Sequence, residues 1–177
     1  MDRIPLSLDG AFVLAPRRHG DERGFFAETF RQEWLPDARF VQDNHSRSRR
    51  GTVRGMHFQY EPGQAKLVRC ARGAILDVVV DLRRSSPTFG RWEAVRLDDE
   101  ELRAIFVPVG FAHGFAVLSD VADVVYKVTA YFDAATEGGF KFDDPDVGIE
   151  WPDGELIVSD RDRTAPRLAE IADTLPW

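Results

Sequence analysis

Cysteine is almost missing from this chain of 177 residues: Cys70 stands alone, so no internal disulfide framework can form. Basic residues are in deficit, 23 lysines and arginines against 30 aspartates and glutamates. The resulting net charge of -7 argues against a nucleic-acid binder held by phosphate contacts. No apolar window reaches the length of a membrane span, and residues 1–6 carry no signal-peptide run, so no membrane attachment and a cytoplasmic address are expected. Internal repeats, low-complexity runs and Ser/Gly linkers are also lacking, which predicts one domain over residues 1–177. There is no phosphate-binding G-x-x-x-x-G-K loop, no dinucleotide fingerprint and no serine-hydrolase elbow.

What is present reads as β. Residues 74–82 are rich in β-branched side chains and run into the turn signal Arg83-Arg84-Ser85-Ser86-Pro87. Residues 91–97 and 103–107 alternate, and 115–118 and 123–131 continue a series of strands at regular spacing, which predicts a sandwich or barrel. Only residues 27–34, stopped by Pro36, and 164–172, with Pro166 near the first turn, have a helical pattern. Cys70, inside Leu67-Val68-Arg69-Cys70-Ala71, reads as a packed strand residue rather than a nucleophile.

The residues able to carry chemistry sit within these strands. His57 lies in Arg54-Gly55-Met56-His57-Phe58-Gln59, where alternation puts Val53, Gly55, His57 and Gln59 on one face. His113 lies in Gly110-Phe111-Ala112-His113-Gly114, and Lys66 between them in Gln64-Ala65-Lys66-Leu67. A neutral-pH base and a fixed cation suit proton transfer beside a carbonyl, with the lysine on an oxygen that gains charge. Each also has an ordinary reading: a hydrogen-bonded core histidine, a solvated strand lysine. Asp162, in the charged run Ser159-Asp160-Arg161-Asp162-Arg163, matters only if it reaches His57. Tyr126 and Tyr131 fall in one predicted strand, as a proton donor or as packed aromatics. Among many arginines, Arg23 and Arg54 are the better candidates for a diphosphate. A His-x-His metal pair would need its second ligand where Gln59 stands, so neither metal nor cofactor is expected.

These blocks, with Gly20-Asp21-Glu22-Arg23-Gly24-Phe25-Phe26, Gln42-Asp43-Asn44-His45-Ser46, Lys66-Leu67-Val68-Arg69, Tyr126-Lys127 and Asp144-Pro145-Asp146-Val147-Gly148-Ile149, follow one another in a familiar order. The chain resembles the dTDP-4-dehydrorhamnose 3,5-epimerases from near residue 11 to near residue 168. The resemblance implies an all-β jelly-roll (cupin) β-barrel with short peripheral helices, a homodimer with exchanged N-terminal strands, and a dTDP-4-keto-6-deoxyhexose substrate inverted at C3 and C5. It places the base on His57, its carboxylate on Asp162, the oxyanion partner on Lys66 and the proton donor on Tyr126. Substrate contacts fall on Arg23, Glu28, Gln42, Asn44, Arg54, His113 and Tyr131. His19, where many members have an aromatic, and Phe132, where some have a tyrosine, depart from the pattern and bear on substrate identity. The rival readings are a monoepimerase that inverts one centre and a non-catalytic cupin that binds a sugar nucleotide.

Overall fold

The computed structural model describes residues 1–177. The strands are β1 (Asp2–Pro5), β2 (Phe12–Ala15), β3 (Arg18–Asp21), β4 (Gly24–Ala27), β5 (Gln42–Arg49), β6 (Thr52–Gln59) and β7 (Lys66–Arg72). They continue as β8 (Ala74–Asp81), β9 (Trp92–Asp98), β10 (Ala104–Val107), β11 (Phe111–Val117), β12 (Val121–Val128), β13 (Glu137–Gly139) and β14 (Ile157–Val158). Two four-residue helices follow, α1 (Asp160–Arg163) and α2 (Leu168–Ile171).

One sheet runs β1-β2-β10-β7-β12-β5, the other β13-β6-β11-β8-β9 with β14 parallel to β6, and β3 and β4 form a separate exposed hairpin. Between the two sheets lies a core of Val13, Val68, Cys70, Ile75, Val79, Ile105, Phe111, Phe115 and Val124 among others. Strand β8 shows why its sequence is so uniformly apolar. Ile75 and Val79 feed this core, while Val78 and Val80 join Met56, Phe58, Phe140, Leu168 and Leu175 on the outer face. Both faces of that sheet are covered, so alternation with polar residues is lost. Cys70 is fully buried, as expected of a packed strand residue, and burial pushes its thiol up to about 11.

The expected barrel is not formed. Each sheet keeps free edges, β1 and β5 in one, β13 and β9 in the other, and no ladder closes them into a ring. Regularly spaced alternating strands satisfy a barrel and a sandwich equally; closure depends on which edges pair. Here β5 and β6, only Arg50-Gly51 apart, do not make a hairpin: β5 pairs with β12 and β6 with β11. Likewise β7 and β8, joined at Gly73, enter different sheets. The chain changes sheet at these corners, giving two open layers.

The all-β class with short helices holds, but the helices are placed differently. Ala27 ends β4, and only Gln32–Trp34 make a 3-10 turn, because the hairpin takes Ala27 while Phe30, Leu35 and Ala38 fold down over Phe12, Leu14 and Leu67. At the other end α2 begins at Leu168, whose N–H donates to the buried Asp144 carboxylate at 2.6 Å, and the expected longer helix is cut to one turn. Residues 171–177, patternless as sequence, seal the outer face: Leu175 is buried and Trp177 meets Phe58 edge to face. Strand β12 stops at Val128, so Tyr131 is not in its strand and stands exposed.

Candidate active site

At one end of the space between the sheets the apolar core gives way to polar groups around a cleft of about 500 Å³. Strand alternation aims Lys66 of β7, Tyr126 of β12, Ser46 of β5 and His113 of β11 into it, from the same sides that carry Val68, Val124, Phe111 and Phe115 into the core. His57 and Arg54 of β6 join His113 on the wall facing Lys66, Tyr126 and Ser46, together with α1.

Simple alternation would put Arg54 and His57, three residues apart, on opposite faces. The pairing with β11 resolves this: His57 lies opposite His113 and Arg54 opposite Phe115, so β6 holds one residue more than its partner. That is a β-bulge, which reverses the alternation and brings both side chains into the cleft. Gly55 makes the bulge. Its φ is +131°, and a Cβ there would come 2.6 Å from Gly114 Cα. The face expected from the sequence, with Val53 beside His57, is corrected accordingly: Val53 borders the cleft but packs with Ala116, Phe142 and Val158 rather than with the core between the sheets.

The bulge also frees a backbone donor. Asp162 Oδ1 lies 2.7 Å from His57 Nε2, and its Oδ2 accepts from the Gly55 N–H at 3.2 Å. The carboxylate is buried in α1, whose N-cap Ser159 accepts from the Asp162 N–H at 3.1 Å. Burial works to raise the Asp162 pKa, but the hydrogen bonds from His57 and Gly55 outweigh it and hold the group below the usual carboxylate range. Behind them His113 Nε2 lies 2.9 Å from Asp77 Oδ2, and burial pushes Asp77 up despite that contact.

Lys66 and Tyr126 face these pairs. Burial lowers Lys66 to about 8, partly opposed by the charges of Glu137 and Asp77. Burial raises Tyr126, so it keeps its proton at neutral pH. Arg54 Nε donates to Ser48 Oγ at 3.1 Å. On the same side as Arg54, Arg161 of α1 pairs with Glu137 of β13 at 2.7 Å.

Of the residues singled out from the sequence, His57, Asp162, Lys66, Tyr126, Arg54 and His113 line this one cleft. Gln42 and Asn44 lie farther along the same face of β5, hydrogen-bonded to each other at 2.8 Å. Arg23, Glu28 and Tyr131 are not among its lining residues: Arg23 pairs with Asp21 on the exposed hairpin and Glu28 with Arg31. Sequence reasoning passed over Ser46, Ser159, Arg161 and Glu137. Two signals existed: the period-2 series Gln42, Asn44, Ser46, Ser48, and the Ser-x-x-Asp start of a helix at Ser159. A larger hollow of about 670 Å³, between Phe89, Trp92 and Leu168, gathers neither histidine nor lysine. No group of three or more His, Cys, Asp or Glu side chains is arranged to hold a metal ion.

Residues 5–170 match the family model described as dTDP-4-dehydrorhamnose 3,5-epimerase. The dTDP-4-dehydrorhamnose 3,5-epimerase of Methanothermobacter thermautotrophicus is 51% identical over 174 residues, covering 94% of each chain. Among solved structures, the dTDP-6-deoxy-D-glucose-3,5-epimerase of Legionella pneumophila in complex with dTDP-4-keto-L-rhamnose superposes with a TM-score of 0.94 at 43% identity, covering 99% of this chain and 97% of that one. A 3'-monoepimerase from Streptomyces bikiniensis in complex with dTDP-quinovose gives 0.92 at 43% identity, with 97% and 90% covered.

Proposed function

The chain belongs to the dTDP-4-dehydrorhamnose 3,5-epimerase family, and on that premise we propose how the cleft of β6 performs the reaction. The protein is an isomerase of deoxysugar biosynthesis that inverts C3 and C5 of a dTDP-4-keto-6-deoxyhexose. The observation that carries the mechanism is the 2.7 Å contact of His57 with Asp162, on the wall of a cleft shared with Lys66 and Tyr126.

Hydrogens at C3 and C5 are α to the C4 ketone, so either can leave as a proton while its electron pair forms an enolate. Asp162, ionised, accepts from His57 Nε2–H, which leaves Nδ1 as the lone pair that takes the proton. The Lys66 ammonium donates to the C4 oxygen as negative charge builds there. Tyr126 then gives its hydroxyl proton to the same carbon from the other face, inverting it. His57 has gained a proton and Tyr126 lost one; exchange with water resets both. Arg54 holds the diphosphate together with Arg23 of the partner subunit; Gln42, Asn44 and His113 contact the substrate, and no cofactor takes part.

The rest of the proposal concerns assembly. Residues 1–177 act as one domain, and two copies form a homodimer with exchanged N-terminal strands. Support comes from the hairpin β3–β4, which leaves Phe25 49% and Phe26 68% exposed and holds Arg23 away from its own chain's cleft. Arg23 and Glu28 then serve the neighbour's site, and Tyr131 meets the nucleotide or sugar at its mouth. A cytoplasmic address belongs to the same reading; no helix is long and apolar enough to cross a membrane.

The test is proton exchange. In deuterated water with dTDP-4-keto-6-deoxyglucose, NMR is expected to show loss and inversion of the C3 and C5 hydrogens, abolished in His57→Ala. Bound ligand with no exchange at either carbon would sink the mechanism. Exchange at one carbon alone would establish a monoepimerase, a second reading kept because a 3'-monoepimerase is as similar to this chain as the 3,5-epimerase is.

A further inference from the structure

Strand β5 lays four polar residues on the inner face: Gln42, Asn44, Ser46 and Ser48. Three have partners. Gln42 donates to Asn44 at 2.8 Å and accepts from the Phe132 N–H at 3.0 Å, and Ser48 accepts from Arg54 at 3.1 Å. Ser46 has none. Its Oγ is the one buried side-chain nitrogen or oxygen in the whole chain without a hydrogen-bond partner.

An unpaired buried hydroxyl weakens a fold, and native proteins satisfy nearly all such groups. Nothing about the packing calls for it here. Ser46 pairs with Val124, and its diagonal neighbours on β12 are Ala122 and Tyr126, surroundings in which alanine would sit equally well. Yet Ser46 lines the same cleft as Arg54, Tyr126 and His57. A single χ1 turn between staggered positions is enough to carry its hydroxyl toward an acceptor in that cleft.

We propose that Ser46 is a substrate-binding residue, its hydroxyl donating to a non-bridging oxygen of the substrate's diphosphate beside Arg54. The inference rests on the functional reading above. The choice of phosphate over sugar follows from its neighbours. Arg54 is tied through Nε to Ser48, two positions along the same face from Ser46, and its terminal nitrogens have no protein partner. A neutral donor next to an unpaired guanidinium completes an anion site. Hydrogen bonds to charged acceptors are the stronger kind, so the contact more than repays the idle hydroxyl of the free protein.

The experiment compares wild type with Ser46→Ala by calorimetry with dTDP and with thymidine, by thermal unfolding, and by steady-state kinetics. For the variant the dTDP Kd is expected to rise about tenfold or more. Thymidine binding is unchanged, and the loss in kcat/KM falls on KM rather than kcat. The ligand-free variant unfolds at the wild-type temperature or above it. A structural role for Ser46 would do the reverse, lowering the melting temperature without ligand, and that result overturns the proposal. Equal dTDP affinity in both proteins overturns it too, even if KM rises, since the hydroxyl would then serve the sugar. Wild-type protein that does not bind dTDP at all would remove the nucleotide reading itself and this inference with it.

Discussion

Lys66 is a cation held where no carboxylate bonds it directly, and burial brings it from 10.5 down to about 8. Between those two values the unfolded chain binds more protons than the folded one, so stability rises with pH across that window. At neutral pH the ammonium therefore opposes folding, while the mechanism proposed above needs it as a donor. Two outcomes follow from that conflict. Turnover falls as pH rises past about 8, measured as a pH–kcat profile on the dTDP-linked ketone. Lys66→Met loses about 10²–10³ in kcat, yet at pH 7 its urea midpoint lies above that of wild type. On the opposite wall, His57→Ala and Asp162→Asn each lower kcat by about 10²–10⁴. The asparagine variant keeps the shape of α1 but loses the charge beside the imidazole and one of the two oxygens that accept from His57 and the Gly55 N–H.

At the scale of the element, β6 decides the site. One surplus residue brings Arg54 and His57 to the same side and turns the Gly55 N–H toward Asp162. A methyl group at position 55 meets Gly114 Cα at 2.6 Å and the His113 carbonyl at 3.0 Å, in a backbone region that side chains avoid. Gly55→Ala is expected to destabilise the fold by at least about 1–3 kcal/mol. Because relief requires β6 to slide against β11, activity falls further than stability does; denaturant titration and kcat on the same preparation check this. Helix α1 is the complementary device. Only four residues long, it is anchored by Ser159, by Asp162 on His57, and by the Arg161–Glu137 ion pair to β13.

For the whole molecule, the hairpin β3–β4 bears on whether one chain makes a whole site. It projects exposed aromatics and carries Arg23 away from the cleft, an arrangement that suits a partner more than solvent. If N-terminal strands are exchanged, each site combines His57 of one protomer with Arg23 of the other. Two inactive variants, His57→Ala and Arg23→Ala, then rescue each other when co-expressed: random pairing restores about a quarter of the sites, as two-fold symmetry requires. Absence of any recovery in a mixed dimer confirmed by mass would show that each protomer works with its own residues.

Strand content was legible in the sequence because alternation is a local property. Residues 74–82 and 103–107 declare themselves within a few positions, and the structure has strands at 74–81 and 104–107. The order of motif blocks, from Gly20 to Ile149, named the family for a similar reason: each block is contiguous in the chain. The sequence by itself therefore determined the all-β class, the family and the chemical types at hand. Tertiary structure alone decided the remainder. Whether edge strands close a ring depends on partners far apart in the chain, and the corners at Gly51 and Gly73 send neighbouring strands to different sheets. Whether Asp162 is a surface charge or the partner of His57 depends on a contact across 105 residues. The bulge at Gly55 is visible only against β11, because a surplus residue has no meaning until there is a second strand to count against.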